Sequence, residues 1–592
     1  MKETLAELLL KSLCRFDAYA DVYLTKEDKV YTSVKRIELL NQVITLYYYF
    51  ESLHLQKDDK VAIISENRVE WVVTDLACIF KGLISVPLYT SLSSESVRYI
   101  IDDSDAVVCF VSNALQLDKI LSVKDNLPKL KHLISYNGVA PKHSELNITT
   151  FSEIMRNKYE YERNNLCKKL EKFSSHISEE DVFTIIYTSG TTGTPKGVML
   201  TQKNLYSNLI ACTQVLPITD KDIFLSYLPY SHIFERTAGY YLALITGGKV
   251  YYAQSIDTIG QQMQEAKPTV VITVPRLLDK MYNRLMKSTE EMENGYKKRL
   301  FIWALNVARF NGKNKSSLKW KIADKLVFSK IREKTGGNLR FFASGGGALN
   351  KSIGEFFDGI GIATLEGYGM TETSPVISVN RPEDNIYGTI GVPLNGVEVK
   401  IAEDGEILAK GDNVMKGYYK DEASTKETII DGWMHTGDLG EWVKSGHLRI
   451  TDRKKSLFKS SGGKYVAPAQ IEELINQLPY IDQSIIIGNN KMYVTALIVP
   501  EMSELKALAY KLKLHFMEDK ELVRDKTLLK YIEKDLNNVQ KNLSTYEKIR
   551  KFTLLDKPFT IETGELTPTM KIKRNVVEQK FADIIEKMYH KV

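Results

Sequence analysis

Between residues 60 and 111, short apolar runs alternate with helix-length stretches: KVAII, NRVEWVVTDLACIFKG, ISVPL, SSESVRYIIDDS and AVVCFVS. Antiparallel strands can be joined by a tight turn, whereas strands joined through a helix of this length are built for parallel pairing. A parallel sheet carries helices on both faces, so its strands read as unbroken apolar runs, as these do. The same rhythm returns at 183–200, 221–275 and 339–370. The expected fold class is therefore α/β, with a large N-terminal domain of parallel-sheet α/β subdomains.

The texture changes twice along the chain. Residues about 280–335 are rich in Lys and Glu and nearly free of Gly and Pro, which predicts a helical insertion lying on the body. From about 385 to 452, short β runs are broken by glycines, with Asp404–Gly405 a good hairpin turn, and a β-rich subdomain is expected. The last block mixes strands (QSIIIG, YVTALIVP) with helices and reads as a small α+β unit. The expected division is 1–452 for the large domain and 453–592 for the small one.

The remaining composition excludes several classes. No stretch approaches the ~20 apolar residues of a spanning helix, and the start, MKETLAELLLKSLCRF, places Glu3, Glu7 and Lys11 where a signal peptide keeps an apolar run. A soluble, cytoplasmic protein is expected. Five cysteines, odd in number and far apart, predict neither a disulfide framework nor a zinc site. The net charge of +6 sits at the C-terminal end, where Arg453 onward carries 25 basic against 18 acidic residues. That surplus is more often a solvated face than a nucleic-acid surface, and no nucleic-acid partner is expected.

The most informative segment is Tyr187-Thr-Ser-Gly-Thr-Thr-Gly-Thr-Pro-Lys-Gly197, directly after the apolar run VFTII. Thr188, Ser189, Thr191 and Thr192 offer hydroxyls, Gly190 and Gly193 allow tight turns, and Lys196 adds a cation, so the loop can wrap phosphate oxygens. It is not a Walker A loop, because glycine and not Ser/Thr follows the lysine.

YTSGTTGTPKGVMLT resembles the signature of the adenylate-forming superfamily, and five further segments are similar to that family's remaining motifs in the same order. They are LPYSHIFER (228–236), EGYGMTETSP (366–375), HTGDLGE (435–441), TDRKKSLFKSSGGKYVAP (451–468) and LTPTMKIKR (566–574). The phrases LPYSHIFER and TDRKKSLFKSSGGKYVAP are most similar to long-chain fatty acyl-CoA synthetases, and a helical insertion is typical of that branch. Several motifs also have a reading of their own. Tyr368 between Gly367 and Gly369 offers a flat surface to a purine, Thr371 can donate to a phosphate, and Glu372 suits Mg²⁺, which prefers oxygen donors. Asp438 between glycines suits a ribose diol, and Arg453 has a cation that can complete it.

The resemblance assigns nucleotide contacts to the phosphate loop and to Gly345, Gly346, Gly367, Tyr368, Gly369, Thr371, Asp438 and Arg453. It assigns metal contacts to Glu372 and Thr188, and the acyl carboxylate and α-phosphate to the neighbourhood of His232. Lys571 matches the lysine that stabilises charge during adenylation, with Met570 where many relatives have glycine. Lys455 matches the hinge of a mobile C-terminal lid, and Ser461, Gly462 and Gly463 match the coenzyme A passage. The implied reaction uses ATP, Mg²⁺ and coenzyme A to join a long-chain fatty acid to the thiol through an acyl adenylate. The alternative keeps the adenylation and passes the acyl group to an acyl carrier protein. Phe234, Tyr240 and residues near Phe341–Ala343 fit acyl-pocket walls and core packing equally well. Leu5, Leu9, Leu13 and Phe16 fall at helical spacing, a stripe that fits either docking on its own protein or peripheral contact with the inner face of a membrane.

Overall fold

The computed structural model describes residues 4–27, 30–138, 147–157, 159–189, 194–311, 314–443, 445–454, 457–461, 464–561, 563–567 and 571–589. The chain divides into two compact units. The first comprises residues 1–400, 408–435 and 442–449; the second comprises 401–407, 436–441 and 450–592.

Unit one holds two large sheets. In the first, the strands Lys60–Ile64, Ile84–Leu88, Ala106–Val111 and His132–Ser135 run parallel, with Lys60 opposite Ile84 and Val108 opposite His132. Each is apolar on both sides because each face meets helices: Val61 and Ile63 pack into one apolar layer, Ala62 and Ile64 into another. The crossover helix Val69–Lys81 is buried almost throughout and stops at Gly82, whose φ of 74° is the left-handed conformation that ends helices. The same sheet continues through Val182–Ser189 and Pro195–Thr201, which form an antiparallel hairpin.

The second sheet orders its parallel strands Ala363–Gly369, Phe341–Ser344, Val270–Thr273, Ile223–Ser226 and Lys249–Tyr252 side by side. One apolar layer receives residues of both sheets, among them Val61, Phe110, Phe183, Phe224, Ile272 and Phe341, together with the helices Arg36–Ser52, Val69–Lys81 and Gln202–Val215. The other face of the second sheet, with Val271 and Phe342, packs on the helices Tyr296–Asn311 and Lys351–Gly359. Helices and sheets thus alternate in layers, as an α/β chain with two doubly covered sheets must. The stretch from about 280 to 335 holds the helices Pro275–Glu290 and Tyr296–Asn311 and the shorter turns from Leu318 to Glu333.

Two further expectations have outcomes in unit one. Leu5, Leu9 and Leu13 are buried, so the N-terminal helix Leu5–Arg15 spends its apolar stripe on its own protein. The expectation of no disulfide is corrected: Leu5–Arg15 packs on Arg163–Ser174, which brings Cys14 and Cys167 together as a disulfide with Cα atoms 6.0 Å apart. Cys78, Cys109 and Cys212 are free and buried.

In unit two, Ile481–Ile487, Val494–Pro500 and Ile549–Leu554 form a three-stranded sheet. Alternation decides its packing. Ile486, Ala496 and Ile498 face the helices Pro468–Ile475 and Lys526–Val539, while Ile485, Leu497 and Val499 face Val577, Ile585 and Met588. Gly405, at φ 85°, makes the turn expected at Asp404–Gly405.

Candidate active site

Ligands of open α/β sheets bind outside the carboxyl ends of the strands. Three parallel strands of the second sheet end on that edge, and the loops after them carry sequence-predicted residues: His232 after Ile223–Ser226, Gly345 and Gly346 after Phe341–Ser344, and Tyr368 to Glu372 at the end of Ala363–Gly369. Two of these glycines are demanded by space. A Cβ on Gly369 would lie 1.8 Å from the Pro375 carbonyl oxygen, and one on Gly345 would lie 2.9 Å from Phe234. Gly346 has φ 77°, whereas a Cβ on Gly367 would meet only ordinary contacts.

In the hairpin, Thr188 stands opposite Lys196 and Tyr187 opposite Gly197. A Cβ on Gly197 would lie 2.8 Å from Ile185, so glycine lets the two strands close. The Tyr187 hydroxyl donates to Asp103 Oδ2 at 2.5 Å and Tyr99 donates to the Pro195 carbonyl at 3.2 Å, which anchors both arms. Gly190, Thr191, Thr192 and Gly193 lie outside the described residues, as does the side chain of Ser189. Lys196 Nζ donates to Ser424 Oγ, stands 3.6 Å from Asp421 Oδ2 and lies 5.2 Å from the centre of the Tyr418 ring.

Tyr418 is a residue that the sequence did not single out. Its short strand Gly417–Tyr418 pairs with Pro195–Thr201, and its hydroxyl donates to Glu372 Oε1 at 2.9 Å. Burial and the adjacent Glu372 carboxylate push its phenol well above the ordinary range. Met415 N–H donates to the Glu372 carbonyl at 2.8 Å. One aromatic side chain therefore holds the predicted cation and the predicted carboxylate in register. In sequence, Gly417-Tyr-Tyr is indistinguishable from a surface turn.

His232 accepts the Phe234 N–H at Nδ1, 3.1 Å, so the proton of the neutral imidazole sits on Nε2. Its loop is clamped from the first sheet. Asn67 Nδ2 donates to the Leu228 carbonyl at 2.6 Å and to Ser226 Oγ at 2.9 Å, and its Oδ1 accepts the Tyr230 N–H at 2.8 Å. Ser226 in turn donates to Glu235 Oε1 at 2.6 Å. Glu235 is buried, Oε2 has no hydrogen-bond partner, and burial pushes its carboxyl up to about 8, so it is neutral at pH 7. The adjacent Arg236 is fully buried, pairing with Asp75 and donating to Ser85 and Thr184 at 2.8 Å. Of the proposed walls, Tyr240 is fully buried, its ring 5.2 Å from Tyr230 and 5.9 Å from Trp71, Phe234 packs over Gly345, and Phe341–Ala343 lie buried in the strand Phe341–Ser344.

Unit two brings Asp438 and Arg453 together: Asp438 is buried and Arg453 Nε lies 3.1 Å from its Oδ1. Lys454, also not singled out by the sequence, pairs with Asp404 at 2.6 Å and Glu406 at 2.9 Å. Its N–H donates to the Gly437 carbonyl at 2.8 Å, and Gly437 N–H donates to Glu406 Oε1 at 2.9 Å. Lys571 N–H donates to Thr567 Oγ1 at 3.0 Å, its carbonyl accepts the Thr567 N–H at 2.8 Å, and the residue is exposed. Ser461 N–H donates to the Lys491 carbonyl at 3.0 Å. Lys455, Gly462, Gly463 and Met570 lie outside the described residues.

Glycine loops on the carboxyl edge of a parallel sheet, with a hairpin lysine tied to a buried carboxylate, are the architecture of a nucleotide-dependent α/β enzyme. The chain belongs to the AMP-binding enzyme family: residues 37–419 match the family's model and residues 456–592 match that of the AMP-binding enzyme C-terminal domain. It is 33% identical to the long-chain-fatty-acid–CoA ligase FadD15 of Mycobacterium bovis, over 96% of this chain and 94% of that one. It is also 33% identical to the peroxisomal long chain acyl-CoA synthetase 7 of Arabidopsis thaliana, over 91% of this chain and 79% of that one. The fold is shared with the anthranilate CoA ligase AuaEII in complex with anthranoyl-AMP, at a TM-score of 0.75 and 19% identity, covering 99% and 98% of the two chains.

Proposed function

We propose that this protein joins long-chain fatty acids to coenzyme A at the expense of ATP. The observation that carries the reading is Tyr418, whose ring lies beside Lys196 and whose hydroxyl donates to Glu372 just after the strand Ala363–Gly369, in a chain similar over nearly its whole length to long-chain acyl-CoA ligases. A carboxylate is a poor acyl donor, so it must first become a mixed anhydride. The acid's oxygen attacks the α-phosphorus and pyrophosphate leaves; the coenzyme A thiol then loses its proton, its sulfur attacks the acyl carbon, and AMP leaves.

In this reading Thr188, Ser189, Thr191 and Lys196 hold the phosphates, and Thr371 adds a donor. Tyr368, with Gly345, Gly346, Gly367 and Gly369, receives the adenine. Asp438 and Arg453 take the ribose, and the Nε2 proton of His232 faces the acyl carboxylate. Glu372 and Thr188 are oxygen donors of the kind Mg²⁺ takes alongside water and phosphate, and the ion would supply neutralising charge there. Lys571 serves adenylation, and a turn about Lys455 exchanges it for the Ser461–Gly463 segment, where small residues let the pantetheine arm pass. Peripheral contact with the lipid phase belongs to the same reading, because long-chain acids partition there.

The test is pyrophosphate release measured across saturated acids from acetate to stearate, with and without coenzyme A, and the product identified by mass. Release that rises with chain length and a thioester of free coenzyme A are expected. A preference for acetate, or a thioester formed only on a carrier protein, overturns the assignment.

A further inference from the structure

The loop that carries His232 leaves the second sheet at Ser226 and ends in a short helix at Glu235, and these two residues meet: Ser226 Oγ donates to Glu235 Oε1 at 2.6 Å. The bond closes the neck of the loop from 227 to 234. Within it the His232 N–H donates to the Pro229 carbonyl at 2.9 Å, and the Arg236 N–H donates to the His232 carbonyl at 3.1 Å. Ser226 Oγ also receives Asn67 Nδ2, so the neck and the clamp on Leu228 and Tyr230 share one hydroxyl. A shift of Glu235 is therefore passed through Ser226 to every bond that sets His232.

The surroundings of this carboxyl suit an acid and not an anion. It folds back over Gly239 in the π-helical turn Arg236–Tyr241, where a Cβ would lie 2.4 Å from Oε1, so glycine makes the space it fills. Such turns appear frequently at functional sites. A buried carboxylate is normally paired with a cation, but Glu235 forms no ion pair among the described residues, and the neighbouring Arg236 is turned to Asp75 of the helix Val69–Lys81. The other titratable groups around it are Tyr227 and Tyr230 of the same loop. Both phenols are pushed far up by burial and by Glu235 itself, so neither changes charge between neutral and mildly alkaline pH. Because Ser226 donates to Oε1, the proton of the neutral acid sits on Oε2, which is buried without a partner. Losing it would leave a charge that one hydroxyl alone solvates, and the neck would open to admit water.

We propose that Glu235 is a positioning residue of the adenylation step, which by closing the neck of the loop holds His232 at the reacting carboxylate. The inference rests on the ligase reading and adds to it a dependence on the Glu235 proton. In the native protein, kcat for pyrophosphate release is expected to fall as pH rises past about 8, about tenfold per unit, with little change in the KM for ATP, and to recover on return to neutral pH. The infrared band of a protonated carboxyl is expected to vanish over the same range. Glu235→Gln, which keeps the acceptor for Ser226, should lack both the band and the fall. Ser226→Ala removes the donor that favours the ionised form, so band and fall should both move to higher pH. A group that merely filled space would lower the rate and leave the pH profile where it was. Circular dichroism at the alkaline end reports whether the protein is folded. The proposal is overturned if Glu235→Gln retains the native fall, if the band titrates while kcat holds level, or if kcat is lost only as the folded signal is lost. Absence of pyrophosphate from every acid at every pH would instead defeat the ligase reading and this role with it, although the band would still titrate.

Discussion

Glu235 makes stability depend on pH in a direction opposite to that of most carboxylates. Its folded carboxyl titrates at about 8 because it is buried, against 4.5 for an exposed one. Between those values the folded protein keeps a proton that the unfolded chain has released, so stability falls as pH rises, at about 1.4 kcal/mol per pH unit, and levels off above the folded value. Glu235→Gln keeps the acceptor for Ser226 and removes the titration. Urea midpoints followed from mildly acidic to mildly alkaline pH should slope downward in the native protein and be flatter in the variant. Tyr418 tests the site itself. Tyr418→Phe keeps the ring beneath Lys196 and removes the hydrogen bond to Glu372. A hydrogen bond to a charged group is worth about 1.5–3 kcal/mol, so pyrophosphate release should fall roughly 10- to 100-fold. Thiolysis of supplied acyl adenylate is expected to change less.

At the level of elements, the loop from Leu228 to His232 has no regular structure of its own and owes its shape to Asn67. Asn67→Ala removes three hydrogen bonds at once, and small displacements of a positioned group are costly: a fall in kcat on the order of 100-fold with a much smaller change in the KM for ATP is expected from steady-state kinetics. Equal change in both would mean that Asn67 serves binding and not position. The strands and helices from 60 to 111 were legible because burial on both faces writes long apolar runs and interrupts them with helix. The glycines at 345 and 369 were legible through resemblance, and the close approaches to Phe234 and Pro375 supply their physical reason. Asn67, Glu235 and Tyr418 were not legible. Asn67 meets Tyr230 across 163 residues and Tyr418 meets Glu372 across 46, and a polar residue facing a distant partner has the same local sequence as one facing water. The Cys14–Cys167 pairing escaped for the same reason, since two cysteines 153 residues apart carry no spacing signal.

At the scale of the molecule, the two half-reactions make different demands on one bound adenylate, and they can be measured apart. Lys571→Ala should abolish pyrophosphate release while thiolysis of supplied acyl adenylate continues, as followed by thioester formation. Loss of both in equal measure would remove Lys571 from a role specific to the first step. Arg236 and Asp75 belong to this scale too, because a fully buried guanidinium joins a helix of one layer to the strands of another, with its donors spread over Asp75, Ser85, Thr184 and Tyr241. Removing one ion would strand the other, at a cost of about 3–5 kcal/mol.

The chain enters unit two three times, with two short visits at 401–407 and 436–441 before the final stretch from 450. Those visits bring Asp404, Glu406 and Asp438, the counter-charges of Lys454 and Arg453. A recombinant fragment begun at residue 453 would leave both cations without their anions and Gly437 absent from beneath Lys454. Anyone grafting this unit onto a related scaffold would have to transplant three separate pieces of gene, and a boundary drawn from the linear order alone would cut through its charge lattice.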